Sequence, residues 1–213
     1  MPNVSNVKTK FFGAVDATDA DGISVSASIG SATTLTLGGT LTSGGSYTSG
    51  DNIGQLVTIL SAGDDSGITF TVVGTNAVGD ALTEVVTGAD TTVASSSGYF
   101  NTVTSITTSA ATAGAVTAGV LGSSTAGEMG TGTVFAGRTR IRGLQGLSGA
   151  TAGNLLFKNT SVTGTTLLAI PTSTSTTDLI EPYVPDNGIL FKAGAYVSFA
   201  AGAAAAVTVF YDG

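Results

Sequence analysis

Three aspartates near the N-terminus are the first residues whose spacing could support chemistry. Asp16, Asp19 and Asp21 precede Gly22, and carboxylates spaced in this way before a glycine turn are typical of loops that bind calcium. The segment lacks the bidentate glutamate and the flanking helices of such loops. We therefore interpret it as an acidic, solvated turn before the first strand, and we predict no metal site.

The residue types on which most enzymes depend are missing or unsupported. The chain has no histidine and no cysteine, which removes the usual general base, any disulfide and any thiolate metal site. Asp64 and Asp65 lie in a turn-like segment, and no carboxylate pair can be assigned the separation that glycoside hydrolysis requires. Gly38-Gly39 is not followed by the lysine and helix of a phosphate-binding loop. We predict a non-enzymatic protein with no catalytic residues and no cofactor.

One basic cluster stands out, formed by Arg138, Arg140 and Arg142. In a strand, this alternation places all three guanidinium groups on one face. Two interpretations stand: an anchor for an acidic partner, such as the acidic region of a neighbouring copy, or a solvated strand face. Three arginines release few counterions against a net charge of −7, so we expect no nucleic-acid partner.

The charges divide the chain into two parts. Residues 11–137 contain no lysine or arginine, whereas residues 138–213 have nearly balanced charges. The acidic part carries Asp16, Asp19, Asp21, Asp51, Asp64, Asp65, Asp80, Glu84, Asp90 and Glu128. Such an asymmetry favours two modules with different neighbours. It also weighs against catalysis on an anionic substrate in the first module, which has no cation to hold one.

Strand signals dominate the whole length. Residues 23–29 alternate with period two, and similar short runs of β-branched and aromatic residues follow, separated by Gly, Asp, Asn and Ser. Regular spacing of this kind is typical of sandwiches and barrels. We predict an all-β protein of two β-sandwich or barrel-like domains. The predicted parts are an N-terminal arm at 1–22, an acidic β-sandwich domain at 23–121, a Gly/Ser-rich linker at 122–132 and a second β-domain at 133–213.

The predicted arm contains a second group of candidate interface residues, Lys8, Lys10, Phe11 and Phe12. Aromatic anchors often dominate the energy of an interface, so we expect this group to reach a neighbouring protein. A frayed terminus is the alternative. The apolar stretch after Lys10 is too short for a secretion signal, and we expect a protein that is made and used in the cytoplasm or is released by lysis.

Composition favours a protein that works inside an assembly. Charged residues make up 10% of the chain, against about 25% in an ordinary soluble domain. A face that is permanently packed against another protein needs no charge for solubility. The apolar runs are short and interrupted, so we expect no membrane partner.

Several stretches resemble virion proteins. Residues 57–89 (VTILSAGDDSGITFTVVGTNAVGDALTEVVTGA), 98–107 (GYFNTVTSIT) and 111–119 (ATAGAVTAG) resemble a module common in structural proteins of tailed bacteriophages. Residues 189–199 (ILFKAGAYVSF) and 207–211 (VTVFY) look like the ending of virion proteins from cyanophage-like phages. Such proteins are generally non-enzymatic β-domains of the head or tail. The resemblance therefore implies a virion component and transfers no functional residues.

The resemblance and the composition together lead to one functional expectation. We expect a capsid decoration, or cement, protein that binds the major capsid protein and stabilises the phage head in a virion assembled in the host cytoplasm. Its other partners would be copies of itself, with a trimer as one plausible arrangement. A fibre, collar or tail-associated protein is the alternative, although long repeats and heptads are missing. A glycan-binding module is a third possibility, which the absence of tryptophan disfavours.

Overall fold

The computed structural model describes residues 6–50, 52–122, 128–150, 152–200 and 206–213. These residues form antiparallel strands joined by turns, without any helix, and none of the sheets closes on itself. The all-β prediction is confirmed. The strands are β1 (Lys8–Phe12), β2 (Asp19–Ser28), β3 (Thr42–Ser43), β4 (Ser46–Thr48), β5 (Gly54–Ser61), β6 (Thr69–Thr75), β7 (Ala81–Thr87), β8 (Val93–Phe100), β9 (Thr102–Thr108), β10 (Ala115–Leu121), β11 (Glu128–Phe135), β12 (Thr139–Leu147), β13 (Gly153–Asn159), β14 (Thr166–Thr172), β15 (Leu179–Ile180), β16 (Ile189–Phe191), β17 (Ala195–Ala200) and β18 (Ala206–Asp212).

The chain divides into two compact units, and one of them is built from both ends of the chain. The acidic unit comprises Asp16–Gly50 and Gly54–Ser123. The terminal unit comprises Met1–Val15, Asp51–Ile53 and Ser124–Gly213. The sequence of the acidic unit contains no lysine or arginine.

Two antiparallel sheets enclose the core of the acidic unit. One sheet has the strand order β3-β4-β9-β6-β7. In the other, β5 pairs with β8 and β10, and β10 pairs with β2. Ile59, Phe70, Ile106 and Val116 come from the two sheets, and all are completely buried in one hydrophobic cluster. The alternation of buried and half-buried residues along β6 shows why a period-two sequence folds in this way.

The terminal unit has the same sandwich-like organisation. Its first sheet has the order β1-β18-β12-β15, with β16 also paired to β12. In the second, β17 pairs with β11 and β13, and β13 pairs with β14. The core is rich in aromatic residues, including Phe12, Phe157, Phe191 and Phe199. The Phe12 and Phe199 rings meet edge to face, with 6.5 Å between their centroids.

The prediction of an arm at residues 1–22 is wrong for the described part of that segment. Residues 8–12 form β1, which pairs with β18 from Lys8↔Tyr211 to Phe12↔Val207. Phe12 is completely buried, and β2 already begins at Asp19. The segment is held because its backbone completes a sheet and one of its aromatic rings fills the core. Residues 1–5 lie outside the described residues.

The predicted linker at 122–132 is wrong over residues 128–132. These residues belong to β11, which pairs with β17. A Cβ atom at Gly132 would collide with the Phe12 ring, so glycine is required there by close packing. Glycine content alone does not distinguish such a strand from a linker. Residues 123–127 lie outside the described residues.

Candidate protein-binding face

The first sheet of the terminal unit has one buried and one solvent-facing side. Along β18, Val207 and Val209 are completely buried, whereas Thr208 and Phe210, which alternate with them, are only half-buried. Strand periodicity carries this division to the paired strands, because residues directly opposite each other share a face. The row Phe11↔Thr208↔Gln145 therefore faces outward.

Three large apolar side chains are exposed on this side of the sheet. Phe11 is 44% exposed, Leu147 is 41% exposed and Leu179 is 65% exposed. Leu147 pairs directly with Leu179 between β12 and β15. The three side chains line one shallow depression of about 260 Å³ together with Gln145 and Thr208. We name the solvent-facing side of this sheet, from Phe11 to Leu179, the outer face.

The arginines of β12 extend the outer face. Thr139 and Ile141 are buried, whereas Arg142 is exposed and Arg140 is half-buried. The alternation therefore places the arginines on the outward side of the strand. Arg142 Nε lies 3.7 Å from Asp212 Oδ2. Hydrophobic and guanidinium groups thus share one surface.

Backbone geometry near β16 supports the arginine positions. Arg140 Nη1 donates a hydrogen bond of 2.9 Å to the Asn187 carbonyl oxygen. Gly188 adopts φ +66°, and a Cβ atom there would lie 3.0 Å from Arg142 Cδ. This left-handed conformation favours glycine. The turn before β16 therefore leaves room for the two arginine stems.

A second depression lies at the end of this sheet where β1 and β12 begin. It has a volume of about 720 Å³ and is lined by Lys8, Arg138, Arg140 and Asp212, together with Asn6 and Leu190. Arg138 directly precedes β12 and is exposed. We name this site the cationic depression.

The N-terminal interface candidates do not act as one group. Phe11 faces outward, whereas Phe12 belongs to the core. Lys8 Nζ donates a 2.7 Å hydrogen bond to the Gly213 carbonyl oxygen and lies 5.7 Å from the centroid of the Phe135 ring. Lys10 Nζ lies 5.8 Å from the centroid of the Phe12 ring. Burial lowers the pKa of Lys10, because removal from water disfavours its charged form.

The prediction of an acidic, solvated turn before the first strand is wrong from Asp19 onward, because β2 begins there and β1 precedes it. The carboxylates of this segment are held by different partners. Tyr47 donates its hydroxyl to Asp16 Oδ2 at 3.1 Å, whereas the Thr40 hydroxyl donates to Asp19 Oδ2 at 2.8 Å. The Thr40 hydrogen bond holds the pKa of Asp19 below its ordinary value. Across the described ranges, no three His, Cys, Asp or Glu side chains are grouped to hold a metal ion.

Two members of the outer face were missed by sequence reasoning. A two-residue repeat continued from Arg140 would place Leu147 on the buried side, because the two residues are seven positions apart. The register shift in β12 between Ile141 and Gly143 turns Leu147 outward. Leu179 belongs to a strand of two residues, which is too short to show any period. Its exposure depends on the pairing with β12 and is visible only in the structure.

Comparisons with known proteins give no further assignment. No protein family, curated protein or solved structure matches the chain. Within the described residues, no helix is long and apolar enough to cross a membrane. Function must therefore be inferred from the outer face, the cationic depression and the sequence.

Proposed function

We propose that this chain is a non-enzymatic structural protein of a tailed-phage virion that binds the major capsid protein and stabilises the head. The observation that carries the proposal is the outer face, where exposed Phe11, Leu147 and Leu179 lie on one sheet with Arg140 and Arg142. Aromatic and arginine side chains are enriched at interfaces and often dominate their energy.

The hydrophobic core beneath the outer face favours a binding role for this face. Its strands are backed by a core that includes Phe12, Val207 and Val209, each completely buried. A face held by a packed core loses little conformational freedom when a partner binds, which reduces the entropic cost of association. A decoration protein needs such a preformed surface because it binds to a particle that is already assembled.

The sequence supports the choice of the proposed partner. The phage-like stretches at 57–89 and 189–199 resemble virion proteins, and the low content of charged residues fits a protein covered by neighbours. We propose the virion as its location and adjoining copies of the chain as further partners. A fibre, collar or tail-associated role is the second candidate within the same particle.

The deciding experiment measures the copy number per purified virion by quantitative mass spectrometry against the major capsid protein. Several hundred copies would support a decoration role, because the sites of a capsid are repeated over its surface. A few dozen copies would overturn that role in favour of the collar, fibre or tail. Absence from the particle would overturn the virion proposal as a whole.

A binding experiment then tests the outer face itself. The F11S/L147S/L179S variant should lose most of its binding to capsids that lack the protein, because the apolar contacts are removed. The matched control is V85S, since Val85 is also an exposed apolar residue, at 58%, but lies on β7 of the acidic unit. Equal binding by the triple variant and the wild type would contradict the use of this face.

A further inference from the structure

The cationic depression carries more positive than negative charge. Lys8, Arg138 and Arg140 line it, and Asp212 is the acidic side chain among the lining residues. The Asp212 carboxylate already has a cation beside it, because Arg142 Nε lies 3.7 Å from Oδ2. Lys8 Nζ also donates a 2.7 Å hydrogen bond to the backbone oxygen of Gly213, which lines the same depression. Arg138 and Arg140 are therefore the cations of the depression that can bind a further anion.

The arginines of the depression retain unused hydrogen-bond donors. Arg138 forms no hydrogen bond or ion pair with any described residue. Arg140 uses Nη1 for the Asn187 carbonyl oxygen, and a guanidinium group has five N–H donors in total. Their planar geometry matches a carboxylate, which can accept two parallel hydrogen bonds from one guanidinium group.

The acidic unit of the same chain carries exposed side chains of the opposite charge. The acidic unit has no lysine or arginine, and its acids include Asp64, Asp80 and Asp90, all exposed. Asp80 is the last residue of the turn between β6 and β7. The backbone N–H of Asp80 donates a 3.0 Å hydrogen bond to Asn76 Oδ1. The Asp80 side chain therefore lies on an exposed hairpin turn.

We propose that the cationic depression is a carboxylate-binding site that receives an acidic side chain from the acidic unit of a second copy of this chain. The two contributing surfaces are different, so the contact is heterologous and joins copies head to tail. Charge complementarity guides such an association and makes it sensitive to salt. The proposal concerns contacts between copies and does not depend on the virion assignment.

The first test is sedimentation velocity of the purified full-length protein over a range of concentrations at low and high salt. Wild-type protein should self-associate at low salt and dissociate as salt rises. R138S should weaken self-association by about tenfold, the loss expected for roughly 1.4 kcal/mol. The matched control is K192S, because Lys192 is an exposed cation of the same unit outside the depression.

A mixing experiment tests the acidic side. The D64N/D80N/D90N variant should not self-associate, yet its intact depression should bind R138S, whose acids are intact, as a one-to-one complex. A wild-type protein that stays monomeric at low salt would overturn the proposal, as would equal weakening by R138S and K192S. If the protein stays monomeric and binds inorganic phosphate in the depression, the depression is a site for small anions. That result would overturn the proposal that a second copy of the chain is the partner.

Discussion

Phe11 and Phe12 are adjacent in sequence but have opposite roles. Phe11 lies on the outer face, whereas Phe12 packs against Phe199 in the core. Both were predicted as interface residues because the sequence shows only an aromatic pair after two lysines. The pairing of β1 with β18 decides which ring faces inward, and that partner strand lies at the other end of the chain.

We expect F12A to lower the free energy of unfolding by about 3–5 kcal/mol, because it leaves a cavity in a packed aromatic core. F11A should change it by less than about 0.5 kcal/mol, as for other exposed positions. Denaturant unfolding of both variants measures the difference. Similar values for the two variants would contradict the assignment of Phe12 to the core. For the same reason, removal of residues 1–12 would destabilise the terminal unit rather than release a separate arm.

At the scale of the strands, the two-residue repeat of the sequence predicts which neighbouring side chains share one face of a strand. The alternation of Arg138, Arg140 and Arg142 with buried Thr139 and Ile141 follows directly from the two-residue repeat. Local sequence did not reveal that β11 already begins at Glu128, because the glycines at 130 and 132 are typical of a linker. The structural reason for a glycine is clear at position 132, where the Phe12 ring leaves no space for a Cβ atom.

The ladder between β2 and β10 gives a prediction at this scale. Its register shifts between Ala118↔Ser24 and Val120↔Asp19, and Gly119 lies at this irregularity. A Cβ atom at Gly119 would collide with the Asp19 carbonyl oxygen. We expect G119A to force the two strands apart and to cost about 1–3 kcal/mol of stability, as measured by denaturant unfolding.

The matched control for this prediction is G67A. Gly67 lies in a turn, and nothing lies within 4 Å of the position that its Cβ atom would take. We expect a change of less than about 0.5 kcal/mol for this variant. Equal stability of G119A and the wild type would show that the two strands separate more easily than the structure indicates.

At the scale of the molecule, acid should weaken the folded state through carboxylates of the acidic unit. Side-chain hydrogen bonds from Thr40 and Ser66 lower the pKa of Asp19 and of Asp64, respectively. A carboxyl group with a lowered folded-state pKa contributes stability above its unfolded pKa, and this contribution is lost as pH falls through the folded pKa. We therefore expect the free energy of unfolding to decrease below the ordinary aspartate pKa of about 3.9.

The measurement is denaturant unfolding across a series of acidic pH values. The T40V/S66A variant should show a shallower loss of stability, since the hydroxyl donors that favour the two ionised carboxylates are removed. The difference should be small because both side chains are largely open to solvent. An unchanged acid dependence in this variant would assign the acid sensitivity to other carboxylates.

The molecule as a whole was only partly predictable. The all-β class followed from strand periodicity and turn residues, and the charge division between residues 11–137 and 138–213 is visible in the sequence. The terminal unit joins residues from both ends of the chain, which no local pattern can reveal. Phe11 and Arg142 therefore looked like parts of separate segments until the sheet placed them on one face.

The pairing of β1 with β18 also has a consequence for synthesis on the ribosome. Lys8 and Tyr211 are partners, so the first strand of the terminal unit emerges long before the strand that completes its sheet. At roughly 5–20 residues per second, β1 waits about 10–40 s with its hydrogen-bonding groups unpaired. The acidic unit, which ends near residue 123, can fold during this interval. During this time the charged side chains of Lys8 and Lys10 disfavour pairing of the exposed edge of β1 with strands of other nascent chains.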